Sequence, residues 1–559
     1  MLNESRMNAY LELLYPDPSR QARAREKIRT VLARHSVCPG RDEPLSERTC
    51  LLITYADTLV RRQEPGLQTI KKFLDAHVGK AVSGVHLLPM YPYSSDDGFS
   101  VTDYLTINPA LGSWQDADAL AGEYDLMFDA VINHISRESS WFQSFLAGKE
   151  PYSRYFITAD PAADYHLVTR PRSRPLLTPF KTASGTQYLW TTFSEDQIDL
   201  NYHCEDLLAE IIDVLLFYTE HGCRFIRMDA VGFLWKQPGT SCMHLPQTHA
   251  LVKLLRLILE AYAPGTRIIT ETNVPQAENI RYFGDGTDEA NLVYQFPLPP
   301  LTLFTMLRGN AEVLKAWLSS LPVLHDGTTF FNFLSSHDGI GLRPTEGILT
   351  REEQQFLVDA VLRSGGEVSY KDNGDGSRSP YELNINYQDA LASPEDSDSI
   401  RISRFLAAET ILISLQGVPG IYLHSLLGSR NDYYGKSVSG IPRRINREKL
   451  DADQLETALS SDTNRRIIFD ELLRRLKIRR LHPAFSPSAP QRVLPSCPGV
   501  LALERQNTVQ KERILVFINV SCACCTVYSG VRGTDLLTGC PLGPDVRLEP
   551  LQCVWLLPD

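Results

Sequence analysis

Residues 224–231 read RFIRMDAV and residues 267–272 read RIITET. Each is a nearly unbroken apolar, β-branched run that carries an acid at or near its end, Asp229 in the first and Glu271 in the second. A strand covered by helices on both faces carries a run of this kind. Six more runs match it: LLITYA (51–56), GVHLLP (84–89), LMFDAVIN (126–133), ANLVYQF (290–296), TFFNFLSS (329–336) and VPGIYLH (418–424). Helix-like stretches separate most of them, including 67–78, 206–222 and 249–263. In the second, Leu208, Ile211, Ile212 and Leu215 fall on one face. Strand then helix, eight times, predicts the α/β class and a (β/α)8 TIM barrel.

Working outward, the barrel is expected over 49–484, with insertions at 134–203 after the third strand and 339–399 after the seventh. The first is rich in aromatics, Pro and Arg. The second holds GGEVSYKDNGDGSRSP (365–380), a run of turn residues. Both leave from the C-terminal rim, where inserted subdomains would wall a pocket. Residues 1–48 read as a helical extension. From 485 to 559 short alternating runs such as ILVFINV predict a C-terminal antiparallel β domain.

The chain has 559 residues, 43% of them hydrophobic, a formal net charge of -11 and a pI near 5.7. That acidity argues against nucleic acid as a partner. The N-terminus lacks a basic start and a long apolar core, so no signal peptide is expected, and no run approaches the ~20 apolar residues of a membrane helix. Eleven scattered cysteines suit reduced thiols in the cytoplasm. Cys522, Cys524 and Cys525 (CACC) would bind metal only with Cys497 or Cys540. Lacking a second C-x-x-C pair, they read as side chains of a β-rich tail.

Four motifs carry chemistry: DAVINH (129–134), RMD (227–229), ITET (269–272) and SSHD (335–338). Three acids delivered to one rim by separate strands suit substitution at a sugar C1. Arg227 lies two residues before Asp229 and so points the same way, holding that carboxylate ionised and aimed as a nucleophile. Glu271, the general acid, needs a setting that keeps it protonated, for which a buried site or the nearby Asp229 would serve. Asp338 would stabilise the oxocarbenium-like state beside a neutral His337. His134 and Asp96 are either satisfied rim residues or ligands of sugar hydroxyls. No G-x-x-x-x-G-K-[ST], H-E-x-x-H or G-x-S-x-G motif is present, GDGTDE (284–289) lacks dinucleotide spacing, and DNGDGS (372–377) misses the EF-hand positions.

The ordered set DAVINH, RMDAVG, ITET and SSHDG resembles glycoside hydrolase family 13, the retaining α-amylase superfamily. LITYAD, VHLLPMYPYSSDDGF, KQPGTSC, VYQFPLPPL, SSHDGIG and RRINRE are similar to its sucrose-phosphorylase subfamily. The resemblance spans about residues 50–559 and implies Asp229 as nucleophile, Glu271 as acid/base and Asp338 as transition-state stabiliser. It implies sugar contacts from Arg227, His134 and His337, a pocket closed around glucose by Asp96 and Arg443, and an aromatic neighbour in Phe99. No metal or organic cofactor is implied; inorganic phosphate is the co-substrate.

Two features depart from typical sucrose enzymes: the N-terminal extension, and Glu382 in SPYELNINY where those enzymes carry Gln. Both are similar to the branch that cleaves 2-O-α-D-glucosylglycerate, as are WTTFSEDQIDLNY, ITETNVP and GSRNDY. Glu382 would then bind glycerate hydroxyls, with Arg343, Arg378 or Arg430 for the carboxylate. The expected partners are a small glucoside and phosphate, with no nucleic acid and no membrane; a homodimer is left open. Rivals are sucrose, sucrose 6′-phosphate or glucosylglycerol phosphorolysis, plain hydrolysis, and a non-catalytic sugar-binding subunit. A retaining reaction expects the Asp229 and Glu271 carboxyls roughly 5–5.5 Å apart.

Overall fold

Eight parallel strands close into a barrel in the computed structural model, which describes residues 2–38, 43–172, 174–372, 377–393 and 395–559. They are β1 (Leu51–Thr54), β2 (Gly84–Leu87), β3 (Asp125–Ala130), β4 (Cys223–Met228), β5 (Arg267–Thr270), β6 (Leu292–Tyr294), β7 (Thr329–Phe333) and β8 (Val418–Tyr422). Each strand pairs with its neighbours in chain order, and β8 returns to β1. All eight predicted runs are barrel strands, because their unbroken apolar character is what burial on both faces demands. Side chains fill the interior. At Gly420 in β8 an added Cβ would stand 2.4 Å from Phe331 Cζ, so only glycine leaves room for that ring.

The helical layer is less regular than the predicted alternation. The 67–78 stretch is α-helical over Gly66–Phe73 and continues as a wider π turn over Leu74–Val78. The unit after β5 has only Gln276–Asn279 and a 3-10 turn at Ile280–Phe283. The long helices after β3 and β4 span Glu205–Glu220 and Pro246–Tyr262.

Two N-terminal helices, Glu4–Leu14 and Pro18–Leu32, pack against those same two long helices. Met7, Leu11, Leu14, Ile28 and Val31 are buried there. Arg20 Nε donates to the buried Glu205 Oε1 at 2.7 Å, and Tyr15 Oη donates to the Tyr202 carbonyl at 3.0 Å.

The stretch after β3 contributes an antiparallel pair, His134–Ser136 with Gln197–Asp199, and a hairpin, Leu177–Thr182 with Gly185–Trp190. The stretch after β7 contributes a three-stranded sheet of Ile340–Gly341, Arg378–Asn384 and Glu367–Asp372. Most of the DNGDGS turn, residues 373–376, lies outside the described residues. At the C-terminus a six-stranded sheet includes Val500–Asn507, Glu512–Asn519 and Cys553–Pro558. It docks on the helix Asp398–Ser414: Trp555 Nε1 donates to Ser414 Oγ at 2.9 Å, and buried Arg505 donates to the Ser414 carbonyl at 2.8 Å. Cys522 and Cys524 are exposed, Cys525 opens the short strand Cys525–Tyr528, and all eleven cysteines are free thiols.

Candidate active site

The register of β3, β4 and β5 brings the first charged groups together. Arg227 is paired laterally with Asp129 on one side and Ile269 on the other, and Met228 is level with Thr270. Parallel strands in that register deliver Asp229 and Glu271, each the next residue along, to adjacent points on the same rim. Arg227 Nη1 donates to Asp229 Oδ1 at 3.0 Å and also to Asp129. Asp129 is fully buried, and its second oxygen bonds His86 Nε2 at 2.7 Å. The chain turns sharply after Asp229: Ala230 has φ +50°, a left-handed conformation that costs an alanine about 1 kcal/mol. That turn aims the Ala230 N–H at Glu271 Oε2, 3.1 Å away.

Burial sets the protonation of this pair. It pushes the Glu271 carboxyl up to about 7, against the pull of Arg227 and with the push of Asp229 and Asp338. Burial also raises Asp229, opposed by Arg227. Arg227 donates to Asp229 and not to Glu271, so of the two carboxyls Asp229 is the better held as the anion and Glu271 the better suited to carry a proton. Burial opposes ionisation of Asp338 too, but the guanidiniums of Arg443, Arg447 and Arg227 prevail and hold it well below the usual carboxylate range. Burial lowers His337 to about 3, so its ring is neutral.

One pocket at the C-terminal end of the barrel is lined by ten of the residues singled out from the sequence as catalytic or sugar-binding: Asp96, Phe99, His134, Arg227, Asp229, Glu271, His337, Asp338, Glu382 and Arg443. Phe99 stacks on His337 with centroids 4.8 Å apart and planes 7° apart, and Arg227 stands 5.7 Å over the Phe99 ring. His337 Nδ1 is buried without a protein partner, which fits a contact to a sugar hydroxyl. Both His134 nitrogens are engaged: Nε2 donates to the Phe99 carbonyl at 2.9 Å, and Nδ1 faces Asn133 Nδ2 at 3.2 Å. Asp96 and Asp97 both have positive φ, at 56° and 50°. Asp97 holds this bend by accepting from Arg444 and Arg447, each at 2.5 Å.

Asp96 and Arg443, expected to close the pocket around glucose, both line it. The Arg443 guanidinium lies 2.7 Å from Asp338 and 2.9 Å from Glu382 Oε1. Asp96 accepts from Gln197 Nε2 at 3.2 Å, and its nearest cation is Arg172 at 4.0 Å. Glu382 was expected to meet glycerate hydroxyls. It is 5% exposed, accepts the Gly339 N–H at 3.0 Å, and accepts from Arg443 Nε at 3.1 Å. In this structure Glu382 is engaged by the Arg443 guanidinium, which bridges it to Asp338. Of the three arginines considered for the carboxylate, Arg343 lines the pocket. Arg430 is bound to Asp389 at 2.5 Å and Arg378 is exposed; neither lines it.

Sequence reading missed Arg172, Gln197, Asn273 and Tyr381, which also line the pocket. The Arg-rich character of 134–203 pointed toward Arg172; Gln197, Asn273 and Tyr381 lie within the quoted motifs WTTFSEDQIDLNY, ITETNVP and SPYELNINY, but nothing singled them out there. Among the described residues no group of three or more His, Cys, Asp or Glu side chains is arranged to hold a metal ion. Nor is any helix there long and apolar enough to cross a membrane.

Comparison with known proteins agrees with this geometry. Residues 67–339 match the family described as "Alpha amylase, catalytic domain". The chain is 47% identical to the glucosylglycerate phosphorylase of Allomeiothermus silvanus over 95% of this chain and 96% of that one. It is 44% identical to that of Escherichia coli over 94% of each. The crystal structure of sucrose 6F-phosphate phosphorylase from Thermoanaerobacter thermosaccharolyticum superposes with a TM-score of 0.75 at 25% identity, covering 87% of this chain and 96% of that one.

Proposed function

The chain belongs to the α-amylase family, among its glucoside phosphorylases, and from that premise we propose that it catalyses reversible phosphorolysis of 2-O-α-D-glucosylglycerate. The products are α-D-glucose 1-phosphate and D-glycerate. Full-length likeness to glucosylglycerate phosphorylases carries the choice of donor.

In this reading Asp229 attacks glucosyl C1 while Glu271 gives its proton to the departing glycerate oxygen. The C1–O bond breaks as the bond from C1 to the Asp229 carboxylate forms. Arg227 keeps Asp229 ionised, and burial keeps Glu271 protonated up to about pH 7. Asp338, held anionic by its arginines, faces the positive charge that develops on the ring. Glycerate leaves, a phosphate oxygen attacks C1 from the face glycerate vacated, the C1–Asp229 ester bond breaks, the phosphate's proton returns to Glu271, and the α configuration is retained. Phe99, His134, Arg227 and His337 hold the glucosyl ring, with Asp96 at the pocket edge. Glu382 acts by fixing Arg443. The reaction needs inorganic phosphate and no metal or organic cofactor, and eleven free thiols suit a cytoplasmic enzyme.

A donor panel tests this. Incubation with phosphate and glucosylglycerate yields glucose 1-phosphate, and sucrose yields little. Glucose 1-phosphate from sucrose alone would overturn the donor; equal turnover without phosphate would make the enzyme a hydrolase.

A further inference from the structure

The pocket holds five carboxyls, Asp96, Asp229, Glu271, Asp338 and Glu382, against four guanidiniums, Arg172, Arg227, Arg343 and Arg443. Two of the four are committed: Arg227 to Asp129 and Asp229, and Arg443 to Asp338 and Glu382. A substrate carrying its own carboxylate cannot rest among these acids without a further cation. Arg172 stands against Asp96 at 4.0 Å. Arg343 has its nearest ion-pair partner, Glu278, at 4.0 Å, too far for a hydrogen bond, and its side chain is 22% exposed.

The position of Arg343 selects between them. It follows the short strand Ile340–Gly341, whose Gly341 is in register with Glu382. A Cβ on Gly341 would stand 2.8 Å from Asn273 Oδ1, so this strand lies against the residue two beyond Glu271. The leaving group departs from the side where Glu271 delivers its proton. Arg343 therefore borders the leaving-group half of the pocket.

We propose that Arg343 reads the acceptor, its guanidinium binding the carboxylate of glycerate and so setting the preference for an anionic three-carbon acceptor over a neutral one. This rests on the donor reading above. It assigns the specificity to a cation, not to Glu382, which Arg443 and the Gly339 N–H already occupy.

The test uses α-D-glucosyl fluoride as donor, so that phosphate is absent and no proton is needed by the leaving group. Glucosyl transfer to D-glycerate and to glycerol is measured for the wild type, Arg343→Gln and Arg343→Lys, alongside hydrolysis of the fluoride with no acceptor. Arg343→Gln is expected to raise KM for glycerate by about 10- to 100-fold, as loss of a charge-assisted contact does. Transfer to glycerol and fluoride hydrolysis stay within about twofold, and Arg343→Lys recovers part of the glycerate preference. A Gln variant that still prefers glycerate as the wild type does overturns the assignment. So does one that loses fluoride hydrolysis in step with glycerate transfer, which would place Arg343 on the glucosyl side. A wild type with no preference for glycerate would sink the donor reading, and this inference with it, before any variant is made.

Discussion

The glucosyl half of the pocket and the acceptor half are built by different parts of the chain. The glucosyl half stands on strand ends: Arg227, Asp229 and Glu271 are within two residues of the termini of β4 and β5, and Asp129 lies in β3. The acceptor half stands on inserted segments: Glu382 lies in the strand Arg378–Asn384 of the sheet that follows β7, Arg343 just past the strand Ile340–Gly341 of the same sheet, and Arg443 in the turn Pro442–Asn446 after β8. Backbone hydrogen bonds of the barrel fix the first set. The small inserted sheet and ion pairs between segments fix the second, so its geometry depends on partners such as Glu382–Arg443 and Asp97–Arg447. The chemistry sits on the rigid frame, and the choice of acceptor sits on the adjustable one.

That division can be broken from the glucosyl side first. Asp229→Ala removes the nucleophile and is expected to lower kcat for phosphorolysis by about 10⁴-fold or more, measured as glucose 1-phosphate release. Near-normal turnover would remove Asp229 from the reaction. Glu271→Gln is expected to cost about 10²- to 10⁴-fold with glucosylglycerate, and much less for release of fluoride from α-glucosyl fluoride, which needs no proton. In the wild type the protonated form of Glu271 is the active one in bond cleavage, so kcat with glucosylglycerate should fall as pH rises through about 7. A profile flat from pH 5 to 9 would contradict the acid assignment.

The same residue links activity to stability. A carboxyl raised from its ordinary value to about 7 costs stability that begins as pH rises through the unfolded value and is fully felt above 7. Glu271→Gln cannot ionise, so it should be more stable than the wild type at pH 8, by up to about 3 kcal/mol. The advantage should vanish below about pH 4.5, as read by urea unfolding. An equal difference at both pH values would mean the effect is packing.

On the acceptor side, Glu382→Gln keeps an acceptor for the Gly339 N–H but removes the charge that holds Arg443. Phosphorolysis should fall about tenfold in kcat/KM, with Arg443 no longer locked beside Asp338. A change in acceptor choice with an unchanged rate would return Glu382 to direct contact with glycerate. The smallest effect is expected far from both halves. Tyr15→Phe removes the hydrogen bond from the N-terminal helices to Tyr202 and should cost about 1 kcal/mol of stability with little change in kcat.

The barrel was legible because its strands are local events: each is a short apolar run with an acid or polar motif at its end, and parallel pairing puts those ends on one rim. Asp129, Arg227, Asp229 and Glu271 follow from that arithmetic alone. The sequence could also mark Glu382 and Arg443 as unusual or familiar, but not say which charges they would meet. Arg443 came to bridge Asp338 and Glu382, and Arg343 came to border the pocket while Arg378 and Arg430 did not, through contacts between residues tens to hundreds of positions apart. Strand identity is written in neighbouring residues, so the amino-acid order determines it. Which guanidinium reaches which carboxylate depends on where separate loops meet after folding, and that only the tertiary structure decides.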